Sequence, residues 1–365
     1  MELLPHDAVE RILERVPVKS LLRFKSVSKQ WKFTIESQYF QKKQLTFGSK
    51  PVGDDDDIYV LLVVTELKTV VLSYDDRRCL VVTSAPRNLV LESSSLYFSI
   101  LLGGWQNSCD GLVCLSAYLK ANLVLNPTTR WHRSFPPSRL QRLTIDRYLE
   151  GEINLFSYPQ FGFGKDKISG TYKPVRLCNS SELGLENATT CEVFDFSTNA
   201  WRYITPSSPY RIIASTYPLY LDGSLYWLTE EKETKVLSLD LHTETFQIIT
   251  PLPSAEATPK KIIISNLNNR LCLSFCNRTQ QVIWSFSSET KTWEHIYSIV
   301  SVLTPLFPLA ILEKNKLLSS DVFGTELVMY DPTTKSLDSV FKDVCKDAPL
   351  LGNLVCYVKS LISIL

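Results

Sequence analysis

The 365-residue chain has no apolar run of the ~18 residues needed to cross a bilayer, and no excess of charge of one sign. Its 39 Lys and Arg face 38 Asp and Glu, leaving a net charge of +1. The first absence speaks against a membrane span, the second against a nucleic-acid binder driven by whole-chain charge. Disorder is equally disfavoured, because only 21% of residues are charged and 44% are hydrophobic, enough to bury a sizeable core. The opening residues, Met1 to Asp7, lack the basic start and apolar stretch of a signal peptide, so an intracellular location, cytoplasm or nucleus, is expected. The nine cysteines include no CxxC pair: Cys109 and Cys114 lie five apart, Cys272 and Cys276 four apart. They read as small buried apolar residues rather than zinc or redox sites. His6, His132, His242 and His295 sit in separate segments, and no HExxH, GxSxG, Walker loop or kinase signature is present. Asp54 to Asp57 lack the ligand alternation of a calcium loop and read as a solvated turn. The expectation is a protein with no catalytic residue, cofactor or metal.

What charge there is lies unevenly. Residues 1–50 carry ten Lys and Arg against five Asp and Glu. Val9, Ile12, Leu13 and Val16 follow i, i+3, i+4, i+7, the stripe of an amphipathic helix that Asp7 and Glu10 open as a capping box and Pro17 stops. A second short helix fits Ser20 to Lys25, and a third runs from about Ser28 to Gln38. Seventeen apolar side chains fall between Leu3 and Phe40, more than a unit of ~40 residues can hide alone. Two readings stay open: the helices pack on the rest of the chain, or they dock a separate protein. A DNA-reading helix would need polar side chains aimed at base edges, whereas the third helix carries Trp31, Phe33, Ile35 and Tyr39.

After a Gly, Pro and Asp-rich join the period changes to short strands between polar turns, and the chain repeats itself. Val193 to Trp201 recurs as Leu239 to Phe246, Phe286 to Trp293 and Tyr330 to Leu337. Anchored on Asp195, Asp240, Ser287 and Asp331, the steps are 45, 47 and 44. The turns Asp222-Gly223, Asn268-Asn269 and Lys314-Asn315 recur with it at steps of 46. Asn126 to Trp131 forms an earlier, shorter copy. A short Asp side chain, as at Asp195, Asp240 and Asp331, can accept a hydrogen bond from the backbone two residues on, and the aromatic six residues later, as at Trp201, Phe246 and Trp293, falls on the outer strand. A period near 45 with about four strands per unit predicts an all-β propeller of about six, possibly seven, blades, with Leu354 to Val358 able to close the ring by completing the first blade. The competing β-sandwich would not keep this spacing.

The opening segment resembles the F-box in the form common in plants, through Leu4-Pro5-His6-Asp7, Glu10 to Leu13, Val16 to Phe24 and Ser26 to Trp31. Ser28 stands where a cysteine is frequent. The later segment resembles the F-box-associated domain, a kelch-like β-propeller, through Trp105 to Cys114, Asn126 to Thr129, Phe161 to Gly164, Tyr172 to Val175 and Asp222 to Trp227. The resemblance implies a small three-helix F-box over 1–45, a linker over 46–57 and a propeller-like domain over 58–365. It further implies a non-catalytic substrate-recognition subunit of an SCF-type ubiquitin ligase, which binds a Skp-type adaptor and through it a cullin-RING ligase. By resemblance the adaptor-binding residues are Leu4, Pro5, Ile12, Leu13, Val16, Pro17, Leu21, Leu22, Val27 and Trp31, without distinction between those that face the adaptor and those that stay internal. The substrate would be a protein held by the propeller's loops, at residues the sequence does not name; Thr205 to Tyr210 and Ser215 to Tyr220 are guesses that a packing role fits as well. An interaction or glycan-binding propeller without ubiquitination is the alternative.

Overall fold

The computed structural model describes residues 5–48, 59–65, 79–85, 88–93, 107–116, 121–152, 160–213, 216, 218–249, 262–277, 279–300, 302, 304–321, 326–342 and 351–364. The acidic run at 54–57 and Leu4 lie outside them.

The first part is helical, with four helices rather than the three expected: α1 (His6–Leu13), α2 (Val18–Phe24), α3 (Lys29–Glu36) and α4 (Gln38–Gly48). Pro5 caps α1, which leaves Asp7 inside the first turn, where its charge favours the helix dipole instead of closing a capping box. Helix α1 ends at Leu13, four residues before Pro17, and Pro17 is the residue that caps α2, a place where its missing N–H removes no helical hydrogen bond. The long third helix divides at Ser37. That residue is extended (ψ 138°), and its hydroxyl accepts the Phe40 amide at 3.2 Å, starting α4 on a new axis. Helix α4 continues to Gly48, past the boundary expected at 45.

The remainder forms six four-stranded antiparallel sheets. The first holds β1 (Tyr59–Thr65), β2 (Cys79–Ala85) and β3 (Asn88–Ser93). The second holds β4 (Asn107–Cys109), β5 (Leu112–Leu115), β6 (Asn122–Asn126) and β7 (Trp131–Phe135). Helix α5 (Arg139–Leu149) precedes the third sheet, β8 (Gln160–Lys165), β9 (Tyr172–Asn179), β10 (Thr189–Asp195) and β11 (Ala200–Tyr203). The fourth is β12 (Leu219–Leu221), β13 (Ser224–Leu228), β14 (Val236–Asp240) and β15 (Phe246–Ile249); the fifth β16 (Ile262–Leu267), β17 (Arg270–Cys276), β18 (Gln280–Ser287) and β19 (Thr292–Val300). The sixth comprises β20 (Phe307–Ile311), β21 (Leu317–Ser320), β22 (Glu326–Asp331) and β23 (Ser336–Lys342). The last strand, β24 (Leu351–Tyr357), returns to the first sheet and pairs with β1, Leu62 opposite Leu354. Five sheets are thus built from consecutive strands and one from both ends of the β region. The leading strands touch in the order β24, β4, β8, β12, β16, β20 and back to β24, which makes the body a closed propeller. No seventh sheet occurs among the described residues.

The repeated turns explain the spacing. Asp110-Gly111, Asp222-Gly223, Asn268-Asn269 and Lys314-Asn315 join the first and second strands of their sheets with positive φ at both positions, the tight turn that matches strand twist. In the turns joining third to fourth strands, Asn126, Asp195, Asp240 and Asp331 each accept the amide two residues on, at 2.7–2.9 Å. Ser287 reaches only the third residue on, Thr290, at 3.4 Å. Four residues after each anchor the chain turns left-handed, at Arg130, Asn199, Glu244, Lys291 and Lys335. The outer aromatics then cover the preceding sheet: Trp201 packs with Phe135 and Phe194 and donates to the Pro136 carbonyl, Phe246 joins the core between the third and fourth sheets, and Trp293 that between the fourth and fifth. Phe161-Gly162-Phe163-Gly164 lies in the first strand of its sheet, and side chains of the next sheet, Leu225 and Tyr220, fill the space where Cβ atoms would stand on Gly162 and Gly164.

Because every sheet is an antiparallel meander, both kinds of hairpin turn emerge at one end of the ring. The links between second and third strands, and those from sheet to sheet, emerge at the other, α5 among them.

Candidate functional site

The helical module is held around Leu13, Val18, Leu21, Ile35 and Phe40, all buried, with Val9, Val16, Leu22, Phe24 and Trp31 half-buried around them. Each fully buried leucine in such a core contributes about 2 kcal/mol. Phe24 and Trp31 meet edge to face at 5.6 Å. Ser28 caps α3 by accepting the Trp31 amide at 3.1 Å, a task a cysteine would do less well, so the substitution noted in the sequence suits the helix start. Lys43 of α4 pairs with the buried Glu14 and, at 3.5 Å, with Glu10, tying the last helix to the first; the Glu14 hydrogen bond holds the Lys43 ammonium well above its ordinary pKa.

The ten residues named from sequence separate into two sets. Leu13 and Leu21 are internal, and Val16, Leu22 and Trp31 lie half-buried against the same core. Pro5, Ile12, Pro17 and Val27 face outward, Ile12 56% and Val27 60% exposed. Leu4 falls outside the described residues. Two side chains absent from that set are exposed further still, Phe33 at 79% and Tyr39 at 66%. Their signal was present: on α3, Thr34 and Ile35 turn inward, which leaves Phe33 on the opposite side. Four large apolar groups, one each from α1, the α2–α3 turn, α3 and α4, therefore stand in solvent although the module has an inside.

The module rests on the hairpin-turn end of the ring. The chain after β24 runs beneath it, with Leu361 in the helical core and Ile362 in the cluster formed by Cys109, Leu112, Phe135, Phe161 and Phe194. Leu45 of α4 packs against that second cluster. Part of the apolar surface is therefore covered by the same chain, and part remains uncovered.

At the opposite end, α5 is anchored by a buried polar cluster. Ser138 caps it, accepting the Gln141 amide at 2.9 Å, and the buried Glu192 carboxylate accepts the Arg139 and Leu140 amides at 3.3 and 2.9 Å. Buried Arg176 donates to Ser116, Asn122 and Gln141 and lies 4.9 Å over the Phe161 ring. Thr205 to Tyr210 lies in the β11–β12 link at this same end and is stapled down: Thr189 donates to the Ser208 carbonyl, and Tyr210 packs against the core between the third and fourth sheets. Leu219 to Leu221 is strand β12.

No group of three metal-ligating side chains occurs among the described residues. Cys109, Cys114, Cys178, Cys191, Cys272 and Cys276 are free and buried; desolvation raises the thiols of Cys109, Cys114 and Cys191 and pushes Cys178 up to about 12 and Cys272 to about 11, which opposes thiolate chemistry at these sites. His242 is exposed and bonds Asp166 of the neighbouring sheet at 3.1 Å. No described helix is long and apolar enough to cross a membrane.

Comparison with known proteins places these features in context. An F-box domain family model matches residues 1–43, and a model described as the F-box associated beta propeller domain matches residues 105–364. An F-box/LRR-repeat/kelch-repeat protein of Arabidopsis thaliana is 44% identical across 100% of this chain and 97% of its own length. An F-box protein of the same plant is 42% identical, with 100% of both chains covered. Among solved structures, a chain of a nidogen/laminin complex covers 82% of this chain and 99% of its own, at 11% identity and a TM-score of 0.50, a likeness of fold alone.

Proposed function

Because the chain belongs to the F-box proteins that carry an F-box-associated β-propeller, we propose that it is the substrate-recognition subunit of an SCF-type ubiquitin ligase, its helices docking a Skp-type adaptor and its ring holding a protein substrate. The observation that carries this reading is the exposure of Ile12, Val27, Phe33 and Tyr39 on a module whose core is already filled. Large apolar groups left in solvent mark a docking surface, and the basic excess around them suits an acidic partner. The adaptor-facing set is then Pro5, Ile12, Pro17, Val27, Phe33 and Tyr39, while Leu13 and Leu21 act by keeping the helices folded.

Such a receptor needs no catalytic side chain. Binding both bodies brings ubiquitin-loaded enzyme and substrate lysine to a raised effective concentration, and rate follows from tethering. With the helical module on the hairpin-turn end, its described helices leave the end bearing α5 and the longer links uncovered, and that end is the one we assign to substrate, since loops on a rigid scaffold usually carry binding.

Co-purification tests the docking surface. Ile12→Asp and Phe33→Asp should each weaken capture of the adaptor and cullin at least about 30-fold, as loss of a central apolar anchor does, with unchanged melting. Full capture by both variants would refute the reading. Reconstituted ligase that transfers no ubiquitin to any protein held by the ring would refute the receptor role.

A further inference from the structure

We infer that the tail following β24, residues 358–364, is the missing piece of the helical module's core, so that the docking surface is fully built only on a closed ring. Leu361 is 3% exposed and shares a cluster with Leu13, Val18, Leu21, Ile35 and Phe40. Among the described residues it is the one member of that cluster from outside the first forty. The buried Gln41 side chain secures it: its Oε1 accepts the Ser363 amide at 3.3 Å and, at 3.5 Å, the Ser363 hydroxyl.

The next residue faces the other way. Ile362 fills the cluster of the second and third sheets, as expected of an extended chain whose successive side chains alternate. Asn126 clamps the backbone there, its Nδ2 donating to the carbonyls of Ser360 and Ile362, both at 3.0 Å, and to the Ser360 hydroxyl at 3.2 Å. Gly111 opens the path, because a Cβ on it would overlap the Val358 carbonyl and Ser360. Asn126 is thus an Asx-turn anchor through Oδ1 and a tail clamp through Nδ2.

Position along the chain makes this a coupling. The tail leaves directly from β24, and β24 is placed by pairing with β1, the step that closes the ring. A chain whose ring has not closed presents helices lacking a leucine-sized part of their core. An incomplete or opened propeller therefore docks its adaptor poorly. The adaptor limb of this inference rests on the function proposed above; the structural limb does not.

Hydrogen exchange on the full-length protein tests the structural limb. In Leu361→Ala, amides of α1 to α4 should lose at least about tenfold protection, the scale of a cavity left by a buried leucine, while β13 and β17 keep theirs. Val358→Ala, on an exposed tail residue, should change nothing. A chain ending at Lys359 should show the helical loss more strongly. Wild-type protection of the helices in both Leu361→Ala and the shortened chain overturns the inference, and so does a loss spread evenly over every sheet. Adaptor affinity, measured in parallel, should fall with helical protection. If protection falls but wild-type protein binds no adaptor, the docking reading fails and the coupling stands; if wild-type protein binds adaptor and Leu361→Ala keeps both affinity and protection, only the coupling fails.

Discussion

Lys335 and Lys291 hold backbone at φ 58° and 56°, a conformation that glycine adopts without strain and a side chain does not. Lys335→Gly should therefore raise stability by up to about 1 kcal/mol, and Lys335→Val should lower it by about as much or more, both read from denaturant midpoints. The reverse holds at Gly111, where positive φ and contact with the tail leave no room for a Cβ. Gly111→Ala should cost about 2 kcal/mol or more and loosen the helical module, a pairing of effects visible by melting and hydrogen exchange. Carboxylates in the turns make a further prediction. The Ser197 hydroxyl bond, ahead of other causes, holds Asp195 below its ordinary range; burial would raise Asp240 and Glu244, but hydrogen bonds from Thr243 and His242, and from Arg202 and Lys173, outweigh it. Unfolding returns these groups to about pH 4. Their stabilisation is present above that value and is lost as pH falls through the depressed folded values. Melting temperature should thus drop steeply on acidification below about pH 4, and the drop should be shallower in Asp240→Asn.

Elements differ in how far local sequence announces them. The Asx anchors and the two-residue turns were legible because their chemistry is local: a side chain reaching two residues along, and a backbone forced left-handed, leave the same mark at each repeat. The division of the third helix at Ser37 was not, since Ser also occurs inside helices and the apolar spacing runs on through it. Nor was α5, whose start depends on Glu192, more than fifty residues away. Glu192→Ala should leave the Arg139 and Leu140 amides without that acceptor and Arg176 without a carboxylate at its cross-strand position, costing about 2–3 kcal/mol and loosening α5 before the strands, which proteolysis within 139–152 would detect. The adaptor-facing residues illustrate the same division. Amphipathic spacing identified α1 and its apolar content, but separating Leu13 from Ile12 required knowing which side the partner helices occupy.

At the scale of the molecule, pattern alone carried the arithmetic of the repeat, and antiparallel pairing of β1 with β24 agrees with the expectation that the terminal strand completes the first sheet. What pattern could not carry was the union of Leu361 with helices more than 320 residues earlier, since the few apolar residues of a short tail show no period to betray their neighbours. Mechanically, the same union routes load. Tension applied through the helices passes by Leu361 and Gln41 into the tail, and from there to the Tyr59–Tyr357 end of the β1–β24 ladder, where load opens the pairs one after another. Unravelling drawn from either terminus would then begin in one sheet, and a pulling experiment should register its rupture before that of the five sheets made of consecutive strands.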